Sequence, residues 1–374
     1  MHGFALEKAF DLQFQDPHGM KEDFRIYLNR KHKTWKGNSH YIPYSTIFQS
    51  SGYGKSRLIK EMAKDIPTIY ICLRDAKSTG YPLRTNVGAD LFERVLRDLK
   101  VGDEWKFLYV LQNAIQRFQE ELKLISCNNN INNINEELWN RQMDIEFCNK
   151  VWTDVQKRSA NWNSIEFKDV IDSVDFLTNE NSNDDVCFLL CIDEARVLIS
   201  PTNRCNISPF RLFRRALRKV RWNGFFTLLL DTLSRISNFA PPKLIDPSSR
   251  DTTDLSFELF YPYFRLTTMD IFIDSNNNYD DEYRNLAKYG RPLYMSYLQS
   301  CADDPQAVDR LKNLLRRKLL GGADNFIESK QEISSLAILS SVVGFDMSPQ
   351  SQLASELVAS HMATCLSVSE DRNS

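Results

Sequence analysis

The stretch Gln49-Ser50-Ser51-Gly52-Tyr53-Gly54-Lys55-Ser56 decides the expected fold of this 374-residue chain. It fits the phosphate-binding loop pattern G-x-x-x-x-G-K-[ST] everywhere except at the first position, where glutamine replaces glycine. Gly52 and Gly54 allow the backbone amides to curl around a phosphate, whose oxygens Lys55 can neutralise. The Ser56 hydroxyl can bind Mg²⁺. The loop therefore predicts phosphate binding, with a plain glycine-rich turn as the alternative interpretation.

The residues around this loop predict a strand before it and a helix after it. Residues 45–49 are β-prone, apolar residues recur at helical spacing over 58–62, and residues 67–73 form a second apolar run. A strand-loop-helix-strand unit favours a parallel sheet. We assign nucleotide binding to the loop and the first turn of the helix, namely Gly52, Tyr53, Gly54, Lys55, Ser56 and Arg57.

A second motif is an apolar run over residues 186–192 that ends in Asp193 and Glu194. The carboxyl ends of parallel strands meet at one edge of a sheet, where the loop also lies. We therefore expect Asp193 to hold Mg²⁺ and Glu194 to polarise an attacking water as a general base. A helix cap is the alternative interpretation of this pair of carboxylates.

A third apolar run, residues 224–230, leads into Asp231 and Thr232. Thr232 is our first choice for a polar side chain that senses phosphate between the acidic strand and the loop, and Ser234 is the second. A strand-end cap is the alternative. Arg235, just beyond, has the reach to touch a γ-phosphate in a neighbouring subunit, although an ordinary surface arginine is the more favoured interpretation.

Two further features concern arginines. Gly290-Arg291-Pro292 opens a helical region and indicates either a kinked hinge, from which Arg291 leans toward the nucleotide, or a simple turn between helices. Residues 211–221 carry six basic side chains along an amphipathic helix. This helix favours a solvated face or a partner-docking surface over a nucleic-acid site, because no aromatic stacking residues interleave with the charges on its basic face.

Composition indicates an ordinary globular protein. Hydrophobic residues make up 42% of the chain and charged residues 26%, and the net charge of −2 gives no global attraction to nucleic acid or to an anionic membrane. The eight cysteines are scattered along the sequence. No run approaches the roughly 20 apolar residues of a membrane span, and the start lacks a signal-peptide pattern. We expect an intracellular protein, cytoplasmic or nuclear, with reduced thiols.

The order of predicted elements indicates two domains after a helical extension. Residues 1–44 form the extension, residues 45–280 an α/β domain with a helical, Asn-rich insertion at about 86–180, and residues 281–374 a helical lid. The expected fold is a P-loop NTPase domain of three α/β/α layers with a mainly parallel sheet, followed by the smaller lid domain. The polar tail is consistent with a shortened C-terminus.

Taken together, these motifs resemble the NTPase module of Crinkler-type proteins. The resemblance is carried by residues 48–57, 191–195, 231–235 and 289–293, and residues 353–362 resemble a segment that follows the module in uncharacterised fungal proteins. It implies an ATPase related to the STAND and AAA groups that uses ATP or GTP and Mg²⁺. It also implies that the arginine of the Gly-Arg-Pro turn is the nucleotide sensor of the lid.

Longer Crinkler-type proteins add a ubiquitin-like header and a nuclease domain, and neither is recognisable in this sequence. Glu328-Ser329-Lys330 matches the nuclease pattern formally but lacks the flanking strands that the pattern needs. Nuclease activity is therefore not expected.

Three functional hypotheses stay open at this point. The first is a Mg²⁺-dependent ATPase that acts as a conformational switch or motor. The second is a nucleotide-binding interaction or signalling protein without hydrolysis, which docks a protein partner or a second copy of itself. The third, a small-molecule kinase, is less favoured because the adjacent Asp193-Glu194 pair suits water activation and no acceptor-site pattern is visible.

Overall fold

The structure of this protein is a computed structural model. A parallel sheet of four short strands lies at its centre. The strands are β1 (Tyr44–Phe48), β2 (Thr68–Cys72), β3 (Phe188–Asp193) and β4 (Phe225–Asp231). Their order across the sheet is β1-β4-β3-β2, and each neighbouring pair is parallel. Thus β4 lies between the strand before the glycine-rich loop and the acidic strand, and all four carboxyl ends meet at one edge.

The structure describes most of the chain. The described residues are 2–36, 42–76, 78, 80–100, 102–128, 131–166, 185–199, 209–220, 222–232, 260–263, 265–273, 281–323, 331–342, 353, 357 and 361. The predicted site residues Ser234 and Arg235 lie outside these residues, as do Glu328-Ser329-Lys330 and most of 353–362.

Every residue of the four strands is buried, because helices cover both faces of the sheet. Successive side chains alternate between the faces, so that Leu190 and Leu229 enter one core cluster while Leu189 and Leu228 enter the other. Strands buried on both faces have continuous apolar sequences, which is why the sequence pattern identified them. The predicted α/β class with a parallel sheet is confirmed, and the arrangement is compatible with three α/β/α layers.

One face of the sheet is covered mainly by the segment predicted as an insertion. Phe92, Phe118, Trp152 and Phe213 belong to the core cluster on this face. Asn133 lies in the Asn-rich stretch and accepts a 3.0 Å hydrogen bond from the Glu136 backbone N–H, so this part of the stretch begins a helix. The helices of that segment are α4 (Asn86–Asp98), α5 (Glu104–Ser126), α6 (Ile134–Met143) and α7 (Ile145–Arg158), and α8 (Pro209–Arg218) from beyond the segment joins them.

The opposite face is covered by a helix from the N-terminal part of the chain and by the helix that follows the glycine-rich loop. These are α2 (Met20–Lys36) and α3 (Lys55–Met62), and Phe24 and Leu58 are completely buried between them and the sheet. Beside β1, Tyr263 forms a single parallel bridge with Ile47. The sequence predicts a final strand at 264–266, but within the described residues 260–263 and 265–273 the pairing is limited to this bridge.

The described C-terminal residues 281–323 and 331–342 are mainly helical, as their sequence predicts. Ala5 from the first helix of the chain joins Met295, Leu298 and Leu311 in a third core cluster. The first helix is therefore packed against the helices that follow residue 281, which are the predicted lid. The helices involved are α1 (His2–Asp11), α9 (Glu282–Leu286), α10 (Pro292–Ser300) and α11 (Ala307–Leu319), and α12 (Gln331–Val342) follows them.

Candidate functional site

Residues 49–54, here termed the glycine loop, connect β1 to α3 at the carboxyl edge of the sheet. Gly52 and Gly54 have φ angles of 85° and 83°, in the left-handed region that favours glycine. Gly54 is the N-cap of α3, which begins at Lys55. Because the first amides of a helix lack backbone partners, they are free to bind an anion beside the loop.

The Lys55 side chain is folded into the glycine loop. Its Nζ donates hydrogen bonds of 2.6 Å to the Gln49 carbonyl and 3.1 Å to the Ser50 carbonyl. Burial lowers the pKa of Lys55 to about 8, although the nearby carboxylates of Asp193 and Glu194 oppose this change. Lys55 therefore remains a cation at neutral pH, in a site where it is poorly hydrated and attracts an anion strongly.

Ser56 and Asp193 meet at the sheet edge. Ser56 Oγ donates a 2.7 Å hydrogen bond to Asp193 Oδ2, and the Tyr70 hydroxyl donates to the same oxygen. The Glu194 backbone N–H donates 2.8 Å to Asp193 Oδ1. Burial raises the pKa of Tyr70 well above its usual range, so the phenol stays a donor. Mg²⁺ prefers hard oxygen ligands, and the Ser56 hydroxyl and Asp193 carboxylate are adjacent oxygens of this kind, so they fit the predicted metal position.

The Glu194 carboxylate is held between two arginines. Its Oε1 lies 3.0 Å from Arg74 Nη2, and its Oε2 lies 2.5 Å from Arg196 Nη2. The backbone of Glu194 has a φ of 56°, a left-handed conformation that is uncommon outside glycine and that often occurs at functional sites. The predicted general base is thus buried, ion-paired and conformationally fixed.

Thr232 lies at the end of β4 and is linked to the acidic strand by Arg196. Arg196 Nη1 donates a 2.9 Å hydrogen bond to Thr232 Oγ1, and the Arg196 backbone N–H donates to the Asp231 carboxylate. Burial raises the pKa of Asp231 to about 6, while the charge of Arg196 opposes this rise. Arg196 therefore fixes the carboxyl ends of β3 and β4 relative to each other.

Arg291, the arginine of the predicted hinge, reaches the glycine loop from the start of α10. Its Nη1 donates hydrogen bonds of 3.1 Å to Ser50 Oγ and 2.7 Å to the Ser51 carbonyl. The guanidinium also lies over the Tyr53 ring, 5.0 Å from its centre. The structure thus brings the lid directly onto the loop.

A cavity of about 200 Å³ lies beside the loop and is lined by three separate parts of the chain. The polar lining residues come from the loop, the strand ends and the helices after residue 281: Lys55, Ser56, Asp193, Glu194, Thr232 and Lys318. The apolar lining residues, here termed the apolar wall, are Leu6, Phe10, Phe14, Ile271, Phe272 and Leu293. A ligand with both an anionic part and an apolar part matches this mixed lining.

Arg57 lines the cavity but directs its charged group toward the N-terminal segment. Its guanidinium donates to the carbonyls of Phe10 and Leu12, and its Nη2 lies 3.2 Å from Glu61 Oε1. The predicted nucleotide-binding arginine therefore anchors the apolar wall. The structure brings the other predicted site residues to the loop region, and Arg235 lies outside the described residues.

Three basic residues at the site were not predicted from the sequence: Arg74, Arg196 and Lys318. Arg74 follows the end of β2 and Arg196 follows Glu194, so their position at the carboxyl edge of the sheet was a usable signal. Lys318 comes from the last turn of α11, and no pattern in the sequence connects it with the loop.

The charges at the site favour an anionic ligand. Five basic and three acidic side chains lie in or beside the cavity, and the excess of positive charge suits a polyphosphate, with or without a divalent cation. The basic set is Lys55, Arg74, Arg196, Arg291 and Lys318, and the acidic set is Asp193, Glu194 and Asp231.

The basic helix of the sequence corresponds to α8 and the residues after it. Lys219 Nζ lies 3.0 Å from Glu104 Oε2, and Arg215 Nη1 lies 3.8 Å from Glu104 Oε1. The Arg214 guanidinium lies over the Phe210 ring, 5.9 Å from its centre. These basic side chains are therefore engaged with neighbouring residues of the same chain.

The fold and the site together define a mixed α/β protein in which a glycine loop, an acidic strand end and helices after residue 281 line a cavity. The chain belongs to the family described as Domain of unknown function (DUF8735), whose match spans residues 16–266. Residues 324–374 match a second family, described as Domain of unknown function (DUF8736). Neither a curated protein nor a solved structure matches the chain. No helix within the described residues is long and apolar enough to cross a membrane.

Proposed function

We propose that this protein binds ATP or GTP together with Mg²⁺ and hydrolyses it, as a P-loop NTPase of the STAND/AAA-like class. The observation that carries this proposal is the 2.7 Å hydrogen bond from Ser56 Oγ to Asp193 Oδ2. It joins the helix after the glycine loop to the end of the acidic strand, which is the arrangement that a metal-bound triphosphate requires.

The position of β4 supports the assignment to the STAND/AAA-like class. Such ATPases place an additional strand, with a polar sensor at its end, between the strand before the loop and the acidic strand. β4 has this position in the sheet, and it leads directly to Thr232 in the cavity. The order of the motifs also supports a relation to the Crinkler-type NTPase module.

The loop and the strand ends have distinct tasks in this proposal. Lys55 and the first amides of α3 hold and neutralise the phosphate oxygens. Ser56 and Asp193 would hold Mg²⁺, which supplies charge neutralisation at the phosphates when it is bound. Thr232 and Arg291 contact the terminal phosphate, one from the end of β4 and the other from the lid.

Glu194 acts as the general base for the attacking water. In the present geometry Arg74 and Arg196 hold its carboxylate, so Glu194 must exchange one of these ion pairs for the water before it can accept a proton. Phosphate oxygens are the natural competitors for the two guanidinium groups. Nucleotide binding would thus release the Glu194 carboxylate from an arginine and allow it to act as the base.

The same two ion pairs favour a second candidate function. If Glu194 stays paired with Arg74 and Arg196 in the presence of nucleotide, the protein is a nucleotide-dependent interaction or signalling protein without turnover. Its output would be the docking of a protein partner or of a second copy through the lid. In either case we infer an intracellular location, which suits the free, buried thiols of Cys72 and Cys191.

Phosphate release measured with ATP and GTP in the presence of Mg²⁺ tests the proposal. We expect release by the wild type and a loss of about a hundredfold or more in Glu194→Gln, with nucleotide binding retained. The matched control is Glu93→Gln, which removes a carboxylate that pairs with Arg84 away from the cavity and should keep full turnover. Binding without release would favour the second candidate, and an absence of binding would contradict both.

A further inference from the structure

Lys318 is a basic residue of the cavity that the proposed reaction does not yet use. It lies in the last turn of α11, and its Nζ is 3.3 Å from Ser51 Oγ in the glycine loop. The side chain lines the same cavity as Lys55 and Asp193. A residue of the lid thus extends a cation to the loop, separately from Arg291.

The surroundings of Lys318 favour an anion as its partner. An ammonium group has three donors, and Ser51 Oγ, a neutral hydroxyl at long distance, is the hydrogen-bond acceptor that the described residues provide. Burial lowers the pKa of Lys318, and the charges of Arg74 and Arg291 lower it further, whereas Glu194 acts in the opposite direction. A partly buried cation close to other cations is stabilised when an anion joins it.

The position of Lys318 identifies the part of the ligand that it faces. Lys318 contacts Ser51 of the glycine loop, and Glu194, the proposed base, lines the same cavity as both residues. The base must hold its water next to the phosphorus atom that is attacked. A cation that contacts Ser51 in the cavity lined by Glu194 is therefore placed to meet the phosphate that is attacked.

We propose that Lys318 binds the terminal phosphate of a nucleoside triphosphate and makes the site distinguish triphosphate from diphosphate. This inference rests on the proposed function and adds a ligand contact from the second long helix of the lid. The position of α11 then depends on whether the terminal phosphate is present.

The end of α11 connects this contact to the C-terminal segment. The Leu319 carbonyl, one residue beyond Lys318, lies 2.7 Å from His361 Nδ1. Gly321 lies so close to the His361 ring that an added Cβ would be 2.8 Å from Cε1. His361 belongs to the region 324–374 that matches the second family. A triphosphate-dependent shift of α11 would therefore reach that region directly.

Titration calorimetry of the full chain with Mg-ATP and with Mg-ADP tests the role of Lys318. We expect Lys318→Ala to weaken ATP binding about tenfold or more and ADP binding less than about threefold, because one charge-assisted contact is lost only with the triphosphate. Lys318→Arg should restore most of the difference. Arg316→Ala is the matched control, since it removes an exposed cation from the same turn and should bind both nucleotides like the wild type.

Each remaining outcome overturns the inference in a recognisable way. If wild type binds ATP, Lys55→Ala does not, and Lys318→Ala binds both nucleotides normally, Lys318 has no phosphate contact and the proposed function stands. Equal weakening of ATP and ADP, or a lower melting temperature of nucleotide-free Lys318→Ala than of Arg316→Ala, would assign Lys318 a general structural role instead. If wild type binds neither nucleotide, the proposed function and this inference both fail.

Discussion

Leu293 in the first turn of α10 lies directly against Gly52 of the glycine loop. The Leu293 N–H donates a 3.4 Å hydrogen bond to the Gly52 carbonyl, and a Cβ added to Gly52 would lie 3.1 Å from both Cβ and Cδ2 of Leu293. Glycine is thus required at position 52 by the positive φ of 85° and by the close approach of the lid. The conformation of the loop and the position of the lid therefore depend on each other.

Gly52→Ala should destabilise the protein and abolish nucleotide binding. The left-handed backbone costs about 1–2 kcal/mol for alanine, and the contact with Leu293 adds about 1–3 kcal/mol of overpacking. Gly19→Ala is the matched control, because Gly19 also has a positive φ, of 67°, but nothing lies within 4 Å of an added Cβ. Denaturant unfolding compares the two. A Gly52→Ala variant no less stable than Gly19→Ala would show that the lid does not press on the loop.

Arg291→Ala should loosen the lid and weaken nucleotide binding about tenfold. The substitution removes the hydrogen bonds to Ser50 Oγ and the Ser51 carbonyl, for an expected loss of about 1–3 kcal/mol in the free energy of unfolding. The control is Arg284→Ala in α9, whose guanidinium makes a 3.5 Å contact with the Ala302 carbonyl outside the loop. Equal effects of the two substitutions on binding would contradict a contact between Arg291 and the ligand.

The pKa of Lys55 predicts a pH dependence of stability. Burial lowers this pKa from its usual 10.5 to about 8, so the unfolded chain binds more protons than the folded protein between these pH values. The contribution of Lys55 to stability is therefore present above the unfolded pKa and is lost as the pH falls through about 8. Relative to Lys55→Met, the wild type should gain up to about 3 kcal/mol between pH 7 and pH 10. Parallel pH profiles of the two proteins would show that Lys55 is not buried.

Arg57→Ala should release the N-terminal segment from the cavity. The guanidinium holds the carbonyls of Phe10 and Leu12, so its loss removes support from the apolar wall. We expect faster proteolytic cleavage near residues 10–18 and nucleotide affinity lowered about fivefold. Arg25→Ala, which breaks an exposed pair with Glu22, serves as the control. Unchanged cleavage and affinity in Arg57→Ala would mean that this segment does not contribute to the site.

The sequence predicted the parts of the fold that local patterns encode. The strands of the sheet were visible as apolar runs, because a strand that is buried on both faces is apolar at successive positions rather than at alternate ones. The loop could be placed since positive-φ glycines such as Gly52 and Gly54 have a backbone requirement that the residue type itself reveals. The role of residues 86–158 as one layer of the domain could not be inferred, since packing on the sheet depends on contacts distant in sequence.

The site residues also divide into those that local sequence patterns predict and those that they do not. Ser56 and Asp193 were predicted to act together because the rule that parallel strands end at one edge converts sequence motifs into spatial neighbours. Lys318 and the N-terminal residue Phe10 were missed because they reach the cavity through helix packing, which leaves no motif. Arg74 and Arg196 are intermediate cases, since they lie two and three residues beyond strand ends but do not belong to a pattern that singles them out.

The measurement that tests the account most directly is titration calorimetry of Mg-ATP and Mg-GTP with wild type, Lys55→Ala and Lys64→Ala. Lys64 lies just after α3 and pairs with Glu61 and Glu136 outside the cavity, so its substitution is the matched control. We predict saturable binding of one nucleotide per chain by wild type and Lys64→Ala, and a loss of about a hundredfold or more in Lys55→Ala. The absence of binding by the wild type, or equal binding by Lys55→Ala, would contradict the assignment of the glycine loop as a phosphate-binding site.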